Sequence, residues 1–295
     1  MMPFSIAAVQ MHVDALQDNV PRMQHKVDIL MEVYPWVQMV MFSELAAFGP
    51  LTRHAQPMPG PAEEAFCTLA RKHQIWLLPG SMFELEDDKI FNTLPVIDPA
   101  GEVVARYRKM FPFLPYEQGV ESGEEFVVFD VPDVGRFGVA ICYDFWFPET
   151  SRTLMSMGAE VLLHPSLTTT IDRDVELSIA RATAAQNQMF VFDINGLGAG
   201  GNGQSTIVAP TGEVVHTCGR AEEVVPIEID LDRVRRSREV GLRGLGQPLK
   251  SFRDRKVEFS VYQRTADNCA FLNTLGRLEK PTRGSRAGLS SKEKS

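Results

Sequence analysis

The hydrophobic residues of the chain form two kinds of pattern, which follow one another along the sequence. Short apolar runs that largely lack polar alternation predict strands buried on both faces. These runs are residues 4–10, 37–42, 75–78, 137–141, 161–163, 190–194 and 224–229. Apolar residues at helical spacing predict helices over residues 19–34, 62–73, 148–157 and 174–188. Strands that alternate with helices predict a mixed α/β layer protein.

Two hairpins interrupt this alternation. The first covers residues 91–109 and turns at Pro99-Ala100-Gly101, and the second covers residues 205–215. Residues 126–129 predict one more strand beside the run 137–141. The segments 45–61 and 110–125 read as loops, and the first carries several prolines and glycines.

Composition and charge narrow the class of protein. The 295 residues are 44% hydrophobic and 23% charged, as in an ordinary globular protein. A net charge of −8 argues against a nucleic-acid partner or an anionic membrane. We expect one domain over residues 1–265 and a C-terminal extension over 266–295, whose last part is basic and flexible.

The cysteines and the N-terminus indicate the cellular compartment of the protein. The four cysteines are scattered and form no CxxC motif, so we expect reduced thiols rather than disulfides or a metal site. The first residues lack a basic segment, and no apolar run is long enough to span a membrane. These features predict a cytoplasmic protein.

Three polar residues stand where predicted strands end, namely Glu44, Lys109 and Cys142. The end of a strand is a common place for a solvated side chain, so each of these residues alone is weak evidence for a site. Together they supply a base, a cation and a nucleophile, which is what hydrolysis through a covalent intermediate requires. The carboxyl edge of a sheet is also where α/β folds place their chemistry.

The segments around these residues resemble the nitrilase superfamily of carbon–nitrogen hydrolases. Phe42-Ser43-Glu44-Leu45 is similar to its glutamate segment, and Tyr107-Arg108-Lys109 to its lysine segment. The run from Gly138 to Glu149 is similar to its nucleophile segment. The resemblance covers roughly residues 4–230. It implies a four-layer α-β-β-α sandwich, no cofactor, and a homodimer or larger homo-oligomer.

The resemblance also implies roles for individual residues. Cys142 would attack an amide carbonyl with Glu44 as general base, aided by the helix N-terminus that follows. Lys109 and the backbone N–H of Tyr143 would hold the oxyanion. Glu117, eight residues after Lys109, resembles the second glutamate of the family, although a loop carboxylate in water is the alternative.

Four residues are candidates for substrate contact, namely Tyr143, Phe145, Trp146 and His164. Tyr143 follows the cysteine directly, and Phe145 and Trp146 follow it by three and four residues. Packing beneath the next helix is the alternative for the rings of Phe145 and Trp146. His164 follows the strand 161–163, so we expect it at the pocket, with a structural role as the alternative.

The function that these features predict is amidase activity on a small, uncharged carboxamide. A nitrilase or an N-carbamoyl amide hydrolase is the enzymatic alternative, and a non-catalytic interaction protein is the alternative of another class. Tyr143-Asp144 after the cysteine, where nitrilases proper usually have Trp-Glu, favours an amide over a nitrile. The glycine-rich run 195–205 leads into a strand rather than a helix, so it predicts no dinucleotide site.

Overall fold

The computed structural model describes residues 3–199, 201–263, 265 and 269–280. Its strands form two mixed sheets and a two-stranded ribbon. The strands are β1 Phe4–Gln10, β2 His12–Val13, β3 Met39–Phe42, β4 Trp76–Leu78, β5 Met82–Glu86, β6 Lys89–Ile97, β7 Val103–Arg108, β8 Val120–Glu121, β9 Val127–Val131, β10 Gly135–Val139, β11 Val161–Ser166, β12 Phe190–Asn195, β13 Leu197–Gly198, β14 Thr206–Val208, β15 Val214–Thr217 and β16 Glu223–Ile229.

The two sheets have similar plans. The first has the order β16-β1-β3-β4-β6-β5, with β7 and β8 also paired to β6, and β1, β3 and β4 run parallel. The second has the order β15-β14-β12-β11-β10-β9, and β10, β11 and β12 run parallel. The ribbon joins β13 to β2.

Helices cover the outer face of each sheet. They are α1 Val20–Val33, α2 Pro61–His73, α3 Pro148–Ser156, α4 Asp172–Asn187, α5 Asp232–Val240 and α6 Pro248–Arg253. Met23 of α1 and Phe66 of α2 pack in one cluster with Phe42 of the first sheet. Leu154 of α3 and Ala180 of α4 pack in another with strands of the second sheet.

The largest apolar cluster lies between the two sheets. It joins Ile6 and Met41 of the first sheet to Phe137, Leu163 and Phe192 of the second, and all five are buried. Burial of each such side chain contributes about 1.5–3 kcal/mol. Both faces of both sheets are therefore covered, and the predicted α-β-β-α sandwich is confirmed.

Some elements differ from the sequence-based expectation. The strand β5 was not predicted, because its second half is charged and exposed and gives no apolar run. The helices α5 and α6 were also missed, since few of their residues are buried. None of the described helices is both long and apolar enough to cross a membrane. Most of the predicted basic C-terminal part, including residues 281–295, lies outside the described residues.

Candidate active site

Both sheets contribute to the site. Glu44 follows β3 and Lys109 follows β7 in the first sheet, whereas Cys142 follows β10 in the second. Gly80 makes room beside Glu44: its φ is +80°, and a Cβ there would lie 1.9 Å from the carbonyl oxygen of Ser43. A side chain at this glycine would therefore displace the end of β3.

The Lys109 ammonium group is shared by two carboxylates. Its Nζ lies 2.9 Å from Oε1 of Glu44 and 2.8 Å from Oε2 of Glu117, and the lysine is 1% exposed. Burial alone lowers the pKa of Lys109, but the charges of Glu44 and Glu117 outweigh it and raise the pKa well above its ordinary value. Lys109 is therefore a permanent cation at neutral pH.

Asn92 fixes the relative position of the same two carboxylates. Its Nδ2 donates to Oε1 of Glu44 over 2.8 Å and to Oε1 of Glu117 over 3.4 Å. The hairpin of β6 and β7 sets this geometry, because the backbone N–H of Lys109 donates to the carbonyl of Asn92 over 2.9 Å. The sequence placed Asn92 in the first hairpin but gave it no role.

Cys142 occupies an unusual backbone conformation. Its φ is +47°, in a backbone region that residues other than glycine rarely adopt. It begins a short 3-10 helix, Cys142–Trp146, whereas the α-helix α3 begins only at Pro148. The expected helix N-terminus next to the thiol is therefore this single 3-10 turn.

The thiol of Cys142 is protonated at rest. Burial raises its pKa well above the ordinary value of 9.0, Glu44 raises it further, and Lys109 opposes the shift. The sequence suggested that the cation and the helix end would help to activate the thiol. Lys109 does lower the pKa of the thiol, but burial outweighs it, so the thiol needs a base to lose its proton, the role that the sequence predicted for Glu44.

A buried carboxylate joins the thiol segment to the lysine segment. Asp144 accepts hydrogen bonds from the backbone N–H of Ile141 and of Phe111, both over 2.9 Å. It also accepts one from the hydroxyl of Tyr107 over 2.6 Å. Asp144 therefore couples the turn at Cys142 to the residues on either side of Lys109.

A second buried network lies beneath Cys142. His164 is fully buried, and its Nδ1 lies 2.9 Å from Oδ1 of Asp193 while its Nε2 lies 3.0 Å from the carbonyl oxygen of Cys142. Arg173 contacts the other oxygen of Asp193 over 2.8 Å and Glu176 over 3.2 Å. Sequence reasoning did not anticipate Asp193, Arg173 or Glu176.

A cavity of about 280 Å³ opens at the thiol. It is lined by Phe113, Cys142, Tyr143, Trp146, Leu167, Thr168, Thr169, Thr170, Asp172 and Glu176. Tyr143 and Trp146 therefore lie where the sequence predicted substrate contact. Phe145 and His164 do not: both are buried behind the cavity, their rings stack 4.2 Å apart, and the expectation that they line the pocket is corrected.

A threonine connects the cavity wall to the thiol. The Oγ1 of Thr168 lies 4.0 Å from Sγ of Cys142 and donates to Oε1 of Glu176 over 3.1 Å. Glu176 is 3% exposed, and burial and the charge of Asp193 raise its pKa, whereas Arg173 lowers it. Thr168 thus links the thiol to Glu176, and the charges of Glu44 and Glu176 both raise the pKa of Cys142.

One group of metal-ligating side chains occurs among the described residues, away from this cavity. His216, Cys218 and Glu223 each offer a ligand atom, all within 4.8 Å of one another. The sequence predicted no such grouping, because Glu223 comes from β16, which follows β15 along the chain but belongs to the other sheet. The imidazole of His216 already contacts Glu223 over 2.6 Å, and burial raises the pKa of Cys218 to about 12.

The chain belongs to the carbon–nitrogen hydrolase family, whose model matches residues 5–239. The crystal structure of Nit3 from Saccharomyces cerevisiae, a member of branch 10 of the nitrilase superfamily, has a TM-score of 0.74 and 26% identity to it. That similarity covers 80% of this chain and 93% of the other. The chain is therefore an enzyme of the carbon–nitrogen hydrolase class, and the resemblance that its three motifs indicated is confirmed.

Two curated relatives carry amidase names. The omega-amidase NIT2-A of Xenopus laevis is 32% identical over 202 residues, which are 63% of this chain and 72% of that protein. The deaminated glutathione amidase of Dictyostelium discoideum is 33% identical over 197 residues, which are 60% of this chain and 67% of that protein.

Proposed function

We propose that the protein is an amidase that hydrolyses a small carboxamide to a carboxylate and ammonia through a thioester on Cys142. The observation that carries this proposal is the buried cation Lys109, held between Glu44 and Glu117 at the Cys142 site. The amidase names of the relatives support the same reaction.

Acylation begins with the protonated thiol. Glu44 takes the proton as the sulfur of Cys142 attacks the amide carbonyl, and a C–S bond forms while the C=O electrons move to oxygen. Lys109, held as a cation by Glu44 and Glu117, and the backbone N–H of Tyr143 stabilise that oxyanion, and such donors are typically worth ~3 kcal/mol each. The C–N bond then breaks, and Glu44 returns the proton to the departing ammonia.

Deacylation reuses the same groups. Glu44 takes a proton from water, the hydroxide attacks the thioester, and the second oxyanion occupies the same donors. When the C–S bond breaks, the thiolate recovers the proton and the carboxylic acid leaves. Glu117 accepts from Lys109 and from the backbone N–H of Phe113, so it keeps the ammonium group aimed while Glu44 changes its protonation state.

An ammonia assay separates this proposal from its alternatives. Purified protein would be given short, long, aromatic and ω-carboxylated amides, together with the matching nitriles. We expect ammonia from at least one amide, none from its nitrile, and none with Cys142→Ser. Glu63→Gln is the matched control, because Glu63 is also buried but pairs with Arg106 outside the site. Turnover of the nitrile would favour a nitrilase, and no turnover at all would favour the non-catalytic alternative.

We also propose that the protein acts as a homo-oligomer. Apolar side chains are exposed at the start of α4 and along the C-terminal segment, including Ile171, Val175, Phe271 and Leu275. Such exposure is more than a monomer needs, and burial against a second copy would cover it. A monomeric mass by light scattering at micromolar concentration would contradict this.

The cytoplasm is the compartment that we propose. All four cysteines are free thiols, including the buried Cys218 and the reactive candidate Cys142. Free thiols persist in a reducing compartment. Cell fractionation of the native protein tests this, and recovery outside the cytoplasm would contradict it.

A further inference from the structure

The charged side chains that line the Cys142 cavity are all acidic. They are Asp172, which is partly exposed at the start of α4, and Glu176, which is buried one turn later. None of the ten described lining residues is lysine, arginine or histidine. A negatively charged acyl group would therefore enter this cavity against two carboxylates.

Aromatic rings form the opposite part of the lining. The ring centroids of Phe113 and Tyr143 are 5.0 Å apart, and those of Tyr143 and Trp146 are 6.4 Å apart. The faces of aromatic rings attract cations, and the attraction strengthens when the cation is desolvated. Rings and carboxylates together form the kind of lining that binds an ammonium group.

Arg173, which contacts the lining residue Glu176, is not available to an anionic substrate. Arg173 is 1% exposed, and its guanidinium contacts Glu176, Asp193 and the carbonyl oxygen of Gln204, the last over 2.8 Å. It is also absent from the cavity lining. Its charge is thus used within the protein, where it balances part of the negative charge of Asp193 and Glu176.

The contacts through Thr168 set an upper limit on the distance between the thiol and the carboxylate. Thr168 bridges Sγ of Cys142 and Oε1 of Glu176 through contacts of 4.0 Å and 3.1 Å. With bonds of about 1.5 Å, a chain of three or four carbons from the reacting carbonyl spans that gap. A cationic group at the end of such a chain would meet Glu176 and the ring of Trp146, whose Nε1 donates to the same oxygen over 3.4 Å.

From these observations we infer that the substrate is a short linear amide whose acyl chain ends in a protonated amine. This rests on the proposed amidase function and changes one expectation, because the sequence had suggested an uncharged acyl end. The acidic lining accepts the ammonium group, the rings contact its methylenes, and the carboxamide is left at Cys142.

Three amides of matched length test the inference. 4-Aminobutanamide carries the cation, pentanamide replaces the ammonium group with a methyl group, and succinamate carries a carboxylate in the same place. We expect kcat/KM for 4-aminobutanamide to exceed that for pentanamide about tenfold or more, with succinamate the poorest. A preference for succinamate or pentanamide would overturn the inference while leaving the amidase proposal intact.

Two variants assign the preference to named carboxylates. Glu176→Gln keeps the size and shape of the side chain, removes its charge, and should remove most of the preference for the cation. Asp172→Asn should reduce it a few-fold, because this carboxylate is more exposed. Asp174→Asn is the matched control, since Asp174 lies in the same helical turn but is exposed and outside the lining. An unchanged preference in both Glu176→Gln and Asp172→Asn would contradict the assignment.

Binding to Cys142→Ala separates this inference from the proposed function. The affinities of the same three amides would be measured by calorimetry on this variant, which has no thiol to react. Tighter binding of 4-aminobutanamide supports the inference even if the wild-type protein releases no ammonia, in which case only the amidase proposal fails. Equal affinities, or tighter binding of succinamate, overturn the inference.

Discussion

His164 donates a hydrogen bond from Nε2 to the carbonyl oxygen of Cys142 over 3.0 Å. The peptide that joins Cys142 to Tyr143 is trans, so its N–H points away from its carbonyl. By binding the Cys142 carbonyl oxygen, His164 fixes the orientation of this peptide, and the N–H of Tyr143 then points away from His164. That is the N–H to which we assign the oxyanion, so His164 serves as a positioning residue.

The first prediction concerns this hydrogen bond. His164→Asn keeps an amide near the position of Nδ1 but is too short to reach the Cys142 carbonyl, so kcat should fall about 10²-fold with little change in KM. His164→Gln places an amide near the position of Nε2 and should recover a large part of kcat. Steady-state kinetics on the best amide measure both values.

The positioning role is tested by comparing His164→Asn with His164→Gln. A residue that only fills space would be replaced about equally well by either amide. Equal losses in His164→Asn and His164→Gln, or losses mainly in KM, would therefore contradict the positioning role. Circular dichroism of both variants verifies that the fold is retained.

A second prediction follows from the charge of the His164 ring. Both of its nitrogens face acceptors, Asp193 and a carbonyl, so both carry protons and the ring is cationic. Burial lowers the pKa of His164, but Asp193 outweighs burial and raises the pKa above its ordinary value of 6.5. Its contribution to stability is therefore complete below about pH 6.5 and is lost as the pH rises through the folded-state pKa.

Denaturant unfolding at a series of pH values checks this sign. The free energy of unfolding of the wild-type protein should decline between about pH 6.5 and pH 8.5, before the thiols titrate. In His164→Gln, which has no titrating ring, the decline should disappear. A wild-type stability that rises over this range, or the same decline in the variant, would be inconsistent with a cationic His164.

The third prediction concerns Lys109. Lys109→Met removes an oxyanion donor and leaves Glu44 and Glu117 as neighbouring negative charges without the cation between them. The loss of kcat should therefore exceed the ~10²–10³-fold typical of a single donor. Glu117→Gln leaves the lysine and one carboxylate in place and should cost less. If Lys109→Met costs no more than Glu117→Gln, the cation is not the centre of the site.

The sequence alone was sufficient to predict those strands and site residues that a local pattern of apolar and polar residues determines. Apolar runs predict the central strands, because a strand buried on both faces has no reason to alternate. The polar residues that end those strands predict where Glu44, Lys109 and Cys142 lie. The strand β5 was not predicted because its second half is exposed and charged and so gives no apolar run. The burial of its first half depends on neighbours that are distant in the sequence.

The groups around the thiol could not be predicted in the same way. His164, Asp193, Arg173 and Glu176 come from β11, β12 and α4, and only the folded sheet brings them together. Each one read alone is an ordinary polar residue. The extent to which burial raises the pKa of Cys142 could not be predicted for a related reason, since desolvation is set by the whole surrounding structure.

The most direct test of the central claim is the intact mass of the protein after rapid acid quenching during turnover of the best amide. The fourth prediction is that wild-type protein gains the mass of the acyl group, mapped to Cys142, and that Glu44→Gln gains none because nothing takes the thiol proton. The Glu63→Gln control should behave as the wild type. A thioester that accumulates in Glu44→Gln, or an acyl group mapped to any other residue, would contradict the account.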